Sequence, residues 1–277
     1  MIIITGQTAT GKTKLALELA EKYKGELVNF DSRQIYKYLD IITGKDLPAE
    51  KVWLYDIVTP DQYFSSFDFV ERVKPIINDI KKRGKTPILV GGTYLYLKHL
   101  LYGFDDNQTP PNFPLREKLN NKSVMELQEI LKKLSLQSFN RLNNSDVNNP
   151  RRLIRRIEVE LNPQISQIRP IIPISPISQF IGLKYKDKSR LRQVIEKRVE
   201  ERLKNGAIEE VENILKMGYK PTDPGLKTIG YQQIIKFLNK QLTLEKAVED
   251  WVNKEVQYAK RQLTFMKKDE NIKWKDV

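Results

Sequence analysis

The stretch that decides the fold of this chain is Ile2-Ile3-Ile4-Thr5-Gly6-Gln7-Thr8-Ala9-Thr10-Gly11-Lys12-Thr13. Its β-branched start predicts a buried strand, and the helical spacing of the apolar residues that follow predicts a helix from Lys12 to Tyr23. Residues 6–13 fit the pattern G-x-x-x-x-G-K-[ST], a loop whose backbone N–H groups point at phosphate oxygens. Lys12 adds a positive charge, and the Thr13 hydroxyl is suited to Mg²⁺. We expect all eight loop residues to bind a di- or triphosphate; the alternative is a glycine-rich turn without a ligand.

Strands and helices alternate beyond this loop. Apolar runs predict further strands at residues 26–30, 52–57, 87–90 and 177–185, and residues 69–80 form a helix with one apolar face. Such alternation predicts a parallel sheet with helices on its faces. The expected fold class is therefore α/β, a P-loop NTPase-like parallel sheet flanked by helices, with a small helical insertion domain and C-terminal helices.

A change in composition marks the insertion. Residues 105–114 are polar and contain prolines, residues 119–141 have helical period, and Asn149-Pro150 opens a further helix. After a Pro- and Ile-rich connector at 163–176, the pattern predicts one helix from 190 to 217, then a loop and two more helices. The expected domains are a P-loop core (1–110), a helical insertion (111–162), and a return to the core with C-terminal helices (163–277).

The composition excludes several kinds of catalytic site. The chain has no cysteine and one histidine, His99, so disulfides, Cys/His zinc sites, thiol nucleophiles and most Ser-His-Asp triads lack their residues. A catalytic base would most simply be a carboxylate. No stretch approaches the roughly 18 apolar residues of a membrane span, and no cationic leader opens the chain. We expect a soluble, cytoplasmic protein without a membrane partner.

The charge is strongly basic and unevenly distributed. Lys and Arg number 48 against 35 Asp and Glu, which gives a formal net charge of +13. Residues 1–110 have a net charge of +1, whereas 111–187 and 188–277 each carry +6. The excess predicts an anionic partner for the second and third parts. The alternative, lysines decorating every surface equally, fits the uneven distribution poorly.

Asp31 directly follows the second predicted strand, in Asp31-Ser32-Arg33-Gln34. Ligands of open α/β sheets lie outside the carboxyl ends of the strands, so Asp31 should face the phosphate loop. It is a candidate general base, or a group that positions magnesium through water. The alternative is an N-cap aspartate. Ser32 and Gln34 offer hydrogen-bonding groups able to read the edge of a base.

Two further groups follow strands at the same edge. Asp56 is the runner-up carboxylate and a candidate magnesium contact, although an aspartate in a turn is at least as common. Gly91-Gly92-Thr93 permits close backbone approach and offers the Thr93 hydroxyl to the same crevice; the alternative is a plain strand-to-helix turn. Tyr94 and Tyr96 are candidates for stacking on a base, although such aromatics more often lie in the core.

Four arginines, Arg151, Arg152, Arg155 and Arg156, crowd one predicted helix. They repel each other unless an anion lies across them, which indicates a phosphodiester backbone or a diphosphate. The alternative is a solvated helix face with acidic neighbours such as Asp146 and Glu158. Lys260 and Arg261 belong to a second basic segment, which by itself is weaker because basic helix ends also suit the helix dipole.

Together these segments resemble the tRNA dimethylallyltransferases, also called tRNA isopentenyltransferases. The matching segments are GQTATGKT (6–13), DSRQIY (31–36), VGGTYLY (90–96), NNPRRLIR (148–155), TIGYQQ (228–233) and YAKRQLTF (258–265). They span nearly the whole chain, with a gap between 97 and 147. The P-loop alone is unspecific, whereas its combination with DSxQ and AKRQ is highly specific.

The resemblance implies transfer of a dimethylallyl group from dimethylallyl diphosphate to N6 of the adenine 3′ of a tRNA anticodon. The P-loop would hold the diphosphate as leaving group, with Lys12, Thr13 and Mg²⁺ stabilising its charge. Asp31 would accept the proton of the attacking amine, and Thr93 would lie beside the reacting centre. The implied partner is the tRNA anticodon stem-loop with a flipped-out base, and we expect a monomer. The implied tRNA-binding residues are Asp31, Ser32, Arg33, Gln34, Arg151, Arg152, Arg155, Arg156, Lys260 and Arg261.

The chain departs from the family pattern at four places. Tyr94 stands where the family usually has Gly, Glu255-Val256 where it has Thr-Arg, and Val194 where it has Arg, which leaves Arg198 as the nearer match; the insertion also looks short. Two alternatives to the transferase remain at this point. One is a P-loop small-molecule kinase, with Asp31 activating a hydroxyl and the arginines closing over ATP. The other is a non-catalytic RNA-binding relative.

Overall fold

The structure is a computed structural model that describes residues 1–45, 52–104, 109, 111–162 and 177–277. The chain divides into two compact units, Met1–Leu101 with Pro173–Val277, and Tyr102–Ile172. Residues 110 and 163, at the predicted domain boundaries, lie outside the described residues, as do the predicted connector at 163–176 and residues 105–108 of the polar stretch. The three-part division remains a prediction.

The first unit is built on a parallel sheet, as the alternation of strands and helices predicts. Its strands are β1 (Ile2–Gly6), β2 (Gly25–Asn29), β3 (Val52–Trp53), β4 (Thr86–Val90), β5 (Gln179–Lys184) and β6 (Lys273–Asp276). In the described part of the chain these six strands pair in the order β3-β2-β4-β1-β5-β6, every pair parallel. The central strand β1 lies between β4 and β5, so the loop that follows it opens at the middle of the sheet edge.

Helices account for most of the remaining described residues. In the first unit they are α1 (Lys12–Tyr23), α2 (Ser66–Lys82), α3 (Tyr94–Tyr102), α9 (Lys188–Lys204), α10 (Ala207–Lys216), α11 (Tyr231–Leu238) and α12 (Leu244–Met266). In the second they are α4 (Phe113–Asn120), α5 (Val124–Leu134), α6 (Leu136–Asn140), α7 (Asn144–Val147) and α8 (Pro150–Leu161). No helix in the described ranges is long and apolar enough to cross a membrane.

Strand β1 is buried along its whole length and β4 from residue 87 to 90, because parallel strands are covered on both faces. One core cluster joins β1 and its neighbours to α1 and consists of Ile2, Ile4, Ala16, Ala20, Leu27, Ile88 and Val90. Burying each Ile, Leu or Val side chain of this cluster stabilises the fold by roughly 1.5–3 kcal/mol. This packing sets the starting point of α1 and therefore of the loop before it.

The second unit has its own small core. Apolar residues of α4, α5 and α8 form it: Leu119, Leu127, Leu131, Leu153, Ile154 and Ile157. Local caps explain where the helices begin: Ser123 and Glu126 form a capping box at α5, and Asn149 caps α8 ahead of Pro150 in its first turn.

Four details differ from the sequence-based expectations. The predicted strand at 52–57 is only Val52–Trp53, since Leu54 and Asp56 adopt positive φ. The helical stretch at 119–141 is divided among α4, α5 and α6, and the helix predicted from 190 to 217 is two helices, broken at Gly206 with φ 97°. Strand β6 was not predicted, because its lysines and single aromatic carry little strand signal.

Candidate active site at the carboxyl edge of the sheet

The loop after β1 is fastened to strand β5. The Gln7 N–H donates to the Leu183 carbonyl (3.0 Å), and the Gln7 side-chain oxygen accepts from the Tyr185 N–H (3.1 Å). Gly6 has φ 134°, and a Cβ at this position would overlap the Leu183 carbonyl. Glycine is therefore required here by close approach to β5 as well as by backbone conformation.

The same loop closes around its own backbone. Lys12 Nζ donates to the Gln7 carbonyl (2.7 Å), and Thr10 Oγ1 donates to the same oxygen (2.8 Å). Gly11, at φ 78°, precedes α1 and provides no side-chain cap, and Thr13 lies in the first turn of that helix. N–H groups at the start of a helix, beside a lysine, form a site for a phosphate group.

Asp31 lies two residues after the end of β2, and its two carboxylate oxygens are in different environments. Its N–H donates to Asn29 Oδ1 (2.8 Å), and its Oδ1 accepts from the Arg33 N–H (2.9 Å), which is the turn-capping role considered from sequence. Its Oδ2 lies 3.2 Å from the position that a Cβ on Gly92 would occupy. One oxygen thus holds the turn, and the other faces the end of β4.

Thr93 connects the ends of β2 and β4. Its Oγ1 accepts from the Ser32 N–H (2.9 Å) and donates to Ser32 Oγ (3.1 Å). Tyr258 of α12 forms side-chain hydrogen bonds with Thr93 and Gln262, and its pKa is raised, first by burial and then by the nearby charge of Asp31. The phenol therefore stays protonated as a hydrogen-bond donor beside Asp31.

Gln262 of α12 joins the phosphate loop to the end of β4. Its Oε1 accepts from the Thr8 N–H (2.9 Å), and its Nε2 donates to the Gly92 carbonyl (2.9 Å). A Cβ at Gly92 would overlap this amide. Gln262 lies in the segment YAKRQLTF, but no role was predicted for it from the sequence. Its helical spacing with the buried Ala259 and Met266 indicates that it faces inward.

Arg198 of α9 also reaches the phosphate loop and was not among the predicted site residues. Its Nη1 donates to Thr8 Oγ1 (2.9 Å). This guanidinium approaches from a helix about 190 positions later in the chain, so no local pattern links it to the loop. Its presence places a second cation beside Lys12 in reach of a bound phosphate.

Three residues of the predicted set have structural partners. Gln34 Nε2 donates to the carbonyls of Thr43 (3.3 Å) and Gly44 (2.8 Å), and Arg33 Nη1 donates to the Pro224 carbonyl (3.3 Å). Asp56 lies in the turn after β3 and accepts from the buried Lys45 (2.5 Å), as the turn alternative states, and its role as the runner-up carboxylate remains a prediction. Tyr94 and Tyr96 are buried, as the core alternative states.

Carboxylates of the second unit pair with the arginines of α8. Arg152 binds Asp146, Arg155 Nη1 lies 3.3 Å from Glu158, and Arg156 Nε lies 3.4 Å from Glu160. These pairs follow the solvated-face alternative, with Arg151 exposed at the start of the helix. The role of all four arginines in RNA binding remains a prediction.

Lys260 and Arg261 project from the exposed face of α12. They flank Ala259 and Gln262, which are buried toward the candidate site. The two cations therefore stand on the outer side of the helix that closes this site. The contact of Lys260 and Arg261 with RNA remains a prediction.

The residues at the sheet edge suit a magnesium ion held jointly with a phosphate. The described residues contain no cluster of three or more His, Asp or Glu side chains that would hold a metal alone. Mg²⁺, however, commonly binds through one or two protein oxygens together with substrate phosphates. The Thr13 hydroxyl, in the first turn of α1, and the Asp31 carboxylate, which follows β2, are oxygen ligands of this kind.

Comparisons with known proteins cover nearly the whole chain. Residues 34–269 match the family described as IPP transferase. The tRNA dimethylallyltransferase of Thermoanaerobacter sp. (strain X514) is 37% identical over 290 residues, covering 99% of this chain and 90% of that protein. The tRNA dimethylallyltransferase of Clostridioides difficile (strain 630) is also 37% identical, covering 100% and 91%.

Solved structures have the same fold. The full-length tRNA isopentenylpyrophosphate transferase of Bacillus halodurans superimposes with a TM-score of 0.71 at 31% identity, covering 99% of this chain and 89% of that one. A eukaryotic dimethylallyltransferase acting on tRNA gives a TM-score of 0.80 at 25% identity, covering 100% and 73%. The predicted P-loop NTPase-like α/β fold is confirmed.

Proposed function

Since the chain belongs to the IPP transferase family, we propose that it transfers the dimethylallyl group of dimethylallyl diphosphate to N6 of the adenine 3′ of the anticodon in tRNA. The named relatives are tRNA dimethylallyltransferases, and neither the kinase nor the non-catalytic alternative has support among them. The observation that carries the proposal is the bridge made by Gln262, which connects the phosphate loop to the strand end that bears Thr93 beside Asp31.

The chemistry follows from this juxtaposition. The N6 nitrogen forms a bond to C1 of the dimethylallyl group, and the bond between C1 and the diphosphate oxygen breaks. The electron pair of that bond leaves with the diphosphate, and the N6 proton passes to Asp31 Oδ2, the oxygen that is not held by the Arg33 N–H. No phosphoryl group is transferred. The phosphate loop serves the leaving group only.

Charge on the departing diphosphate is stabilised by groups already in place. The loop N–H groups, Lys12 and Arg198 provide hydrogen bonds and positive charge around Thr8. The Thr13 hydroxyl would hold Mg²⁺, and that ion would supply further positive charge to the diphosphate. Thr93 and Tyr258 orient the acceptor side of the crevice, because both offer hydroxyl groups next to Asp31.

The acceptor must leave its stack to reach this crevice. An adenine inside an anticodon stack cannot approach the edge of a sheet, so the base is flipped out. Ser32, Arg33 and Gln34 stand beside the crevice, whereas Arg151, Arg152, Arg155 and Arg156 of the insertion, with Lys260 and Arg261, are the proposed backbone contacts. The localisation proposed for this activity is the cytoplasm, and the proposed state is a monomer.

Release of pyrophosphate tests the proposal. Protein with dimethylallyl diphosphate and Mg²⁺ should release pyrophosphate only when a tRNA with adenine at the target position is present. A tRNA with guanine there is the matched control, because guanine lacks the N6 amine. Release from ATP in place of dimethylallyl diphosphate, or equal release with the guanine tRNA, would contradict the proposal.

A further inference from the structure

Two arginines of α9 converge behind the phosphate loop. Arg198 and Arg202 are one helical turn apart, and both guanidinium groups lie against Gly44. A Cβ at Gly44 would overlap Arg198 Nη2 and would lie 2.9 Å from Arg202 Nη2. Two positive charges therefore share a narrow space, where their repulsion is strong unless an anion compensates it.

The carboxylate of Glu255 enters this space from α12. Its Oε1 lies 2.6 Å from Arg202 Nη1 and accepts a second hydrogen bond from Trp251 Nε1 (3.0 Å). The side chains of Arg202 and Glu255 are 8% and 9% exposed, so this is a buried ion pair. Burial alone would raise the pKa of Glu255, but the charges of Arg202 and Arg198 outweigh it and the pKa is lowered.

The two arginines have different partners as a result. Arg202 is held by Glu255, and its buried Nε has no hydrogen-bond partner among the described residues. Arg198 instead donates to Thr8 in the phosphate loop. One guanidinium is thus paired with Glu255, and the other contacts the phosphate loop while its charge also acts on Glu255.

We infer that Glu255 is a positioning residue for the leaving diphosphate: by holding Arg202, it keeps the Arg198 guanidinium aligned on Thr8 of the phosphate loop. This inference rests on the proposed function, in which that loop binds diphosphate. The side chain of Glu255 contacts protein groups, Arg202 and Trp251. Its effect passes through Arg202 and Arg198, so removing its charge should matter only while Arg198 is present.

A purely structural role is the competing explanation. Glu255 joins α9 to α12 and satisfies the Trp251 N–H, so its loss should lower stability in either case. Only the positioning role makes the effect of Glu255 on diphosphate affinity depend on Arg198. A double-mutant cycle separates the two.

The experiment measures binding of Mg²⁺-pyrophosphate to the full chain by calorimetry. We expect Glu255→Gln to weaken binding about tenfold, and Arg198→Met to weaken it at least as much. Adding Glu255→Gln to Arg198→Met should then change the affinity less than twofold. The matched control is Glu196→Gln, which removes an exposed glutamate paired with Arg192 (2.8 Å) on the same helix and should leave the affinity unchanged.

Several outcomes would overturn the inference. An equal or tighter affinity for Glu255→Gln would show that the carboxylate does not align Arg198, and a full tenfold loss in the Arg198→Met background would show that it acts by another route. If Glu255→Gln does not fold, Glu255→Met with Arg202→Met replaces the ion pair by apolar groups. That double variant should bind within threefold of wild type, since Arg198 then has no neighbouring cation; a tenfold loss contradicts the inference.

The same measurement separates this inference from the proposed function. A wild-type chain that binds no Mg²⁺-pyrophosphate would overturn both. Normal binding with the predicted cycle, but no transfer to tRNA, would overturn the proposed function alone.

Discussion

The two carboxylate oxygens of Asp31 have different roles, one structural and one in the proposed reaction. Oδ1 holds the Arg33 N–H, and Oδ2 faces Gly92 beside Thr93 and Tyr258. Asparagine is nearly the same size and retains an oxygen for the turn, but it cannot accept a proton. The substitution therefore separates the two roles.

We predict that Asp31→Asn lowers the transfer rate by at least about a hundredfold while tRNA binding stays within threefold of wild type. Single-turnover transfer and filter binding measure the two quantities. The matched control is Asp56→Asn, a carboxylate paired with Lys45, which should lower stability without a comparable effect on the chemical step. A near-normal rate for Asp31→Asn would exclude Asp31 as the base.

At the residue scale, the sequence predicted the groups that directly follow strands. Thr93 contacts Ser32, next to Asp31, because the carboxyl ends of neighbouring parallel strands share one edge, a rule that needs no detailed geometry. Arg198 and Gln262 come from helices distant in sequence, and only tertiary packing brings them to Thr8. The ion pair between Asp56 and Lys45 was also not predictable from the sequence, since it depends on the path of the chain after β2.

Helix α12 closes the site with its buried face, and Gln262 is the contact that can be removed most cleanly. Gln262→Ala leaves the Thr8 N–H and the Gly92 carbonyl without this partner, which costs about 1–3 kcal/mol. We predict a lower melting temperature and weaker binding of Mg²⁺-pyrophosphate. Gln257→Ala, on the exposed side of the same helix, should change neither. An unaltered affinity for Gln262→Ala would show that the bridge does not shape the phosphate loop.

Helix α8 combines four arginines with carboxylates that already pair with three of them. We predict that Arg152→Ala with Arg156→Ala weakens tRNA binding and reduces the slope of log affinity against log salt by about one to two. Lys118→Ala, at an exposed residue of α4, is the control. If the slope stays at the wild-type value, the arginines serve only their intramolecular pairs.

At the element scale, sequence patterns predicted where helices lie better than where one helix ends and the next begins. The helical period runs through Gly206, where a positive φ separates α9 from α10. Strand β6 forms because β5 offers an open edge, and its own residues give little indication of it. The central strands were predictable because burial on both faces requires continuous apolar runs.

The two units of the molecule carry separate cores, and the second depends on a buried carboxylate. Glu158 is fully buried and accepts from Arg116 Nε (2.6 Å) and the Asn112 N–H (2.9 Å). Burial alone would raise the pKa of Glu158, but these hydrogen bonds outweigh it and lower the pKa from 4.5. Because its pKa is lowered in the folded state, ionised Glu158 stabilises the fold at any pH above its ordinary pKa. This contribution is lost as the pH falls through the folded-state pKa.

We therefore predict that protection of the α8 amides from hydrogen exchange, corrected for intrinsic rates, falls as the pH drops below about 4.5. Glu158→Gln should have lower protection of these amides at pH 7, and its protection should fall less steeply in the acid limb, the pH range below about 4.5. Glu117→Gln, an exposed residue of α4, should follow wild type. Equal acid limbs for wild type and Glu158→Gln would refute the assignment of this stability to Glu158.

Over the whole molecule, the charge distribution agrees with the proposed division of labour. The nearly neutral first part supplies the phosphate loop and Asp31, and the two parts with a net charge of +6 supply the arginine and lysine residues proposed to contact the tRNA backbone. Because the first part is nearly neutral, binding of the diphosphate depends on specific hydrogen-bond donors and cations. Diffuse positive charge on the other two parts favours binding of a polyanion such as tRNA.

The most direct test of the central claim is mass spectrometry of unmodified tRNA after incubation with the protein, dimethylallyl diphosphate and Mg²⁺. The proposed function predicts one added isopentenyl group, located on the adenosine 3′ of the anticodon. Adenosine without any added mass, together with ATP consumed on a small acceptor, would contradict it.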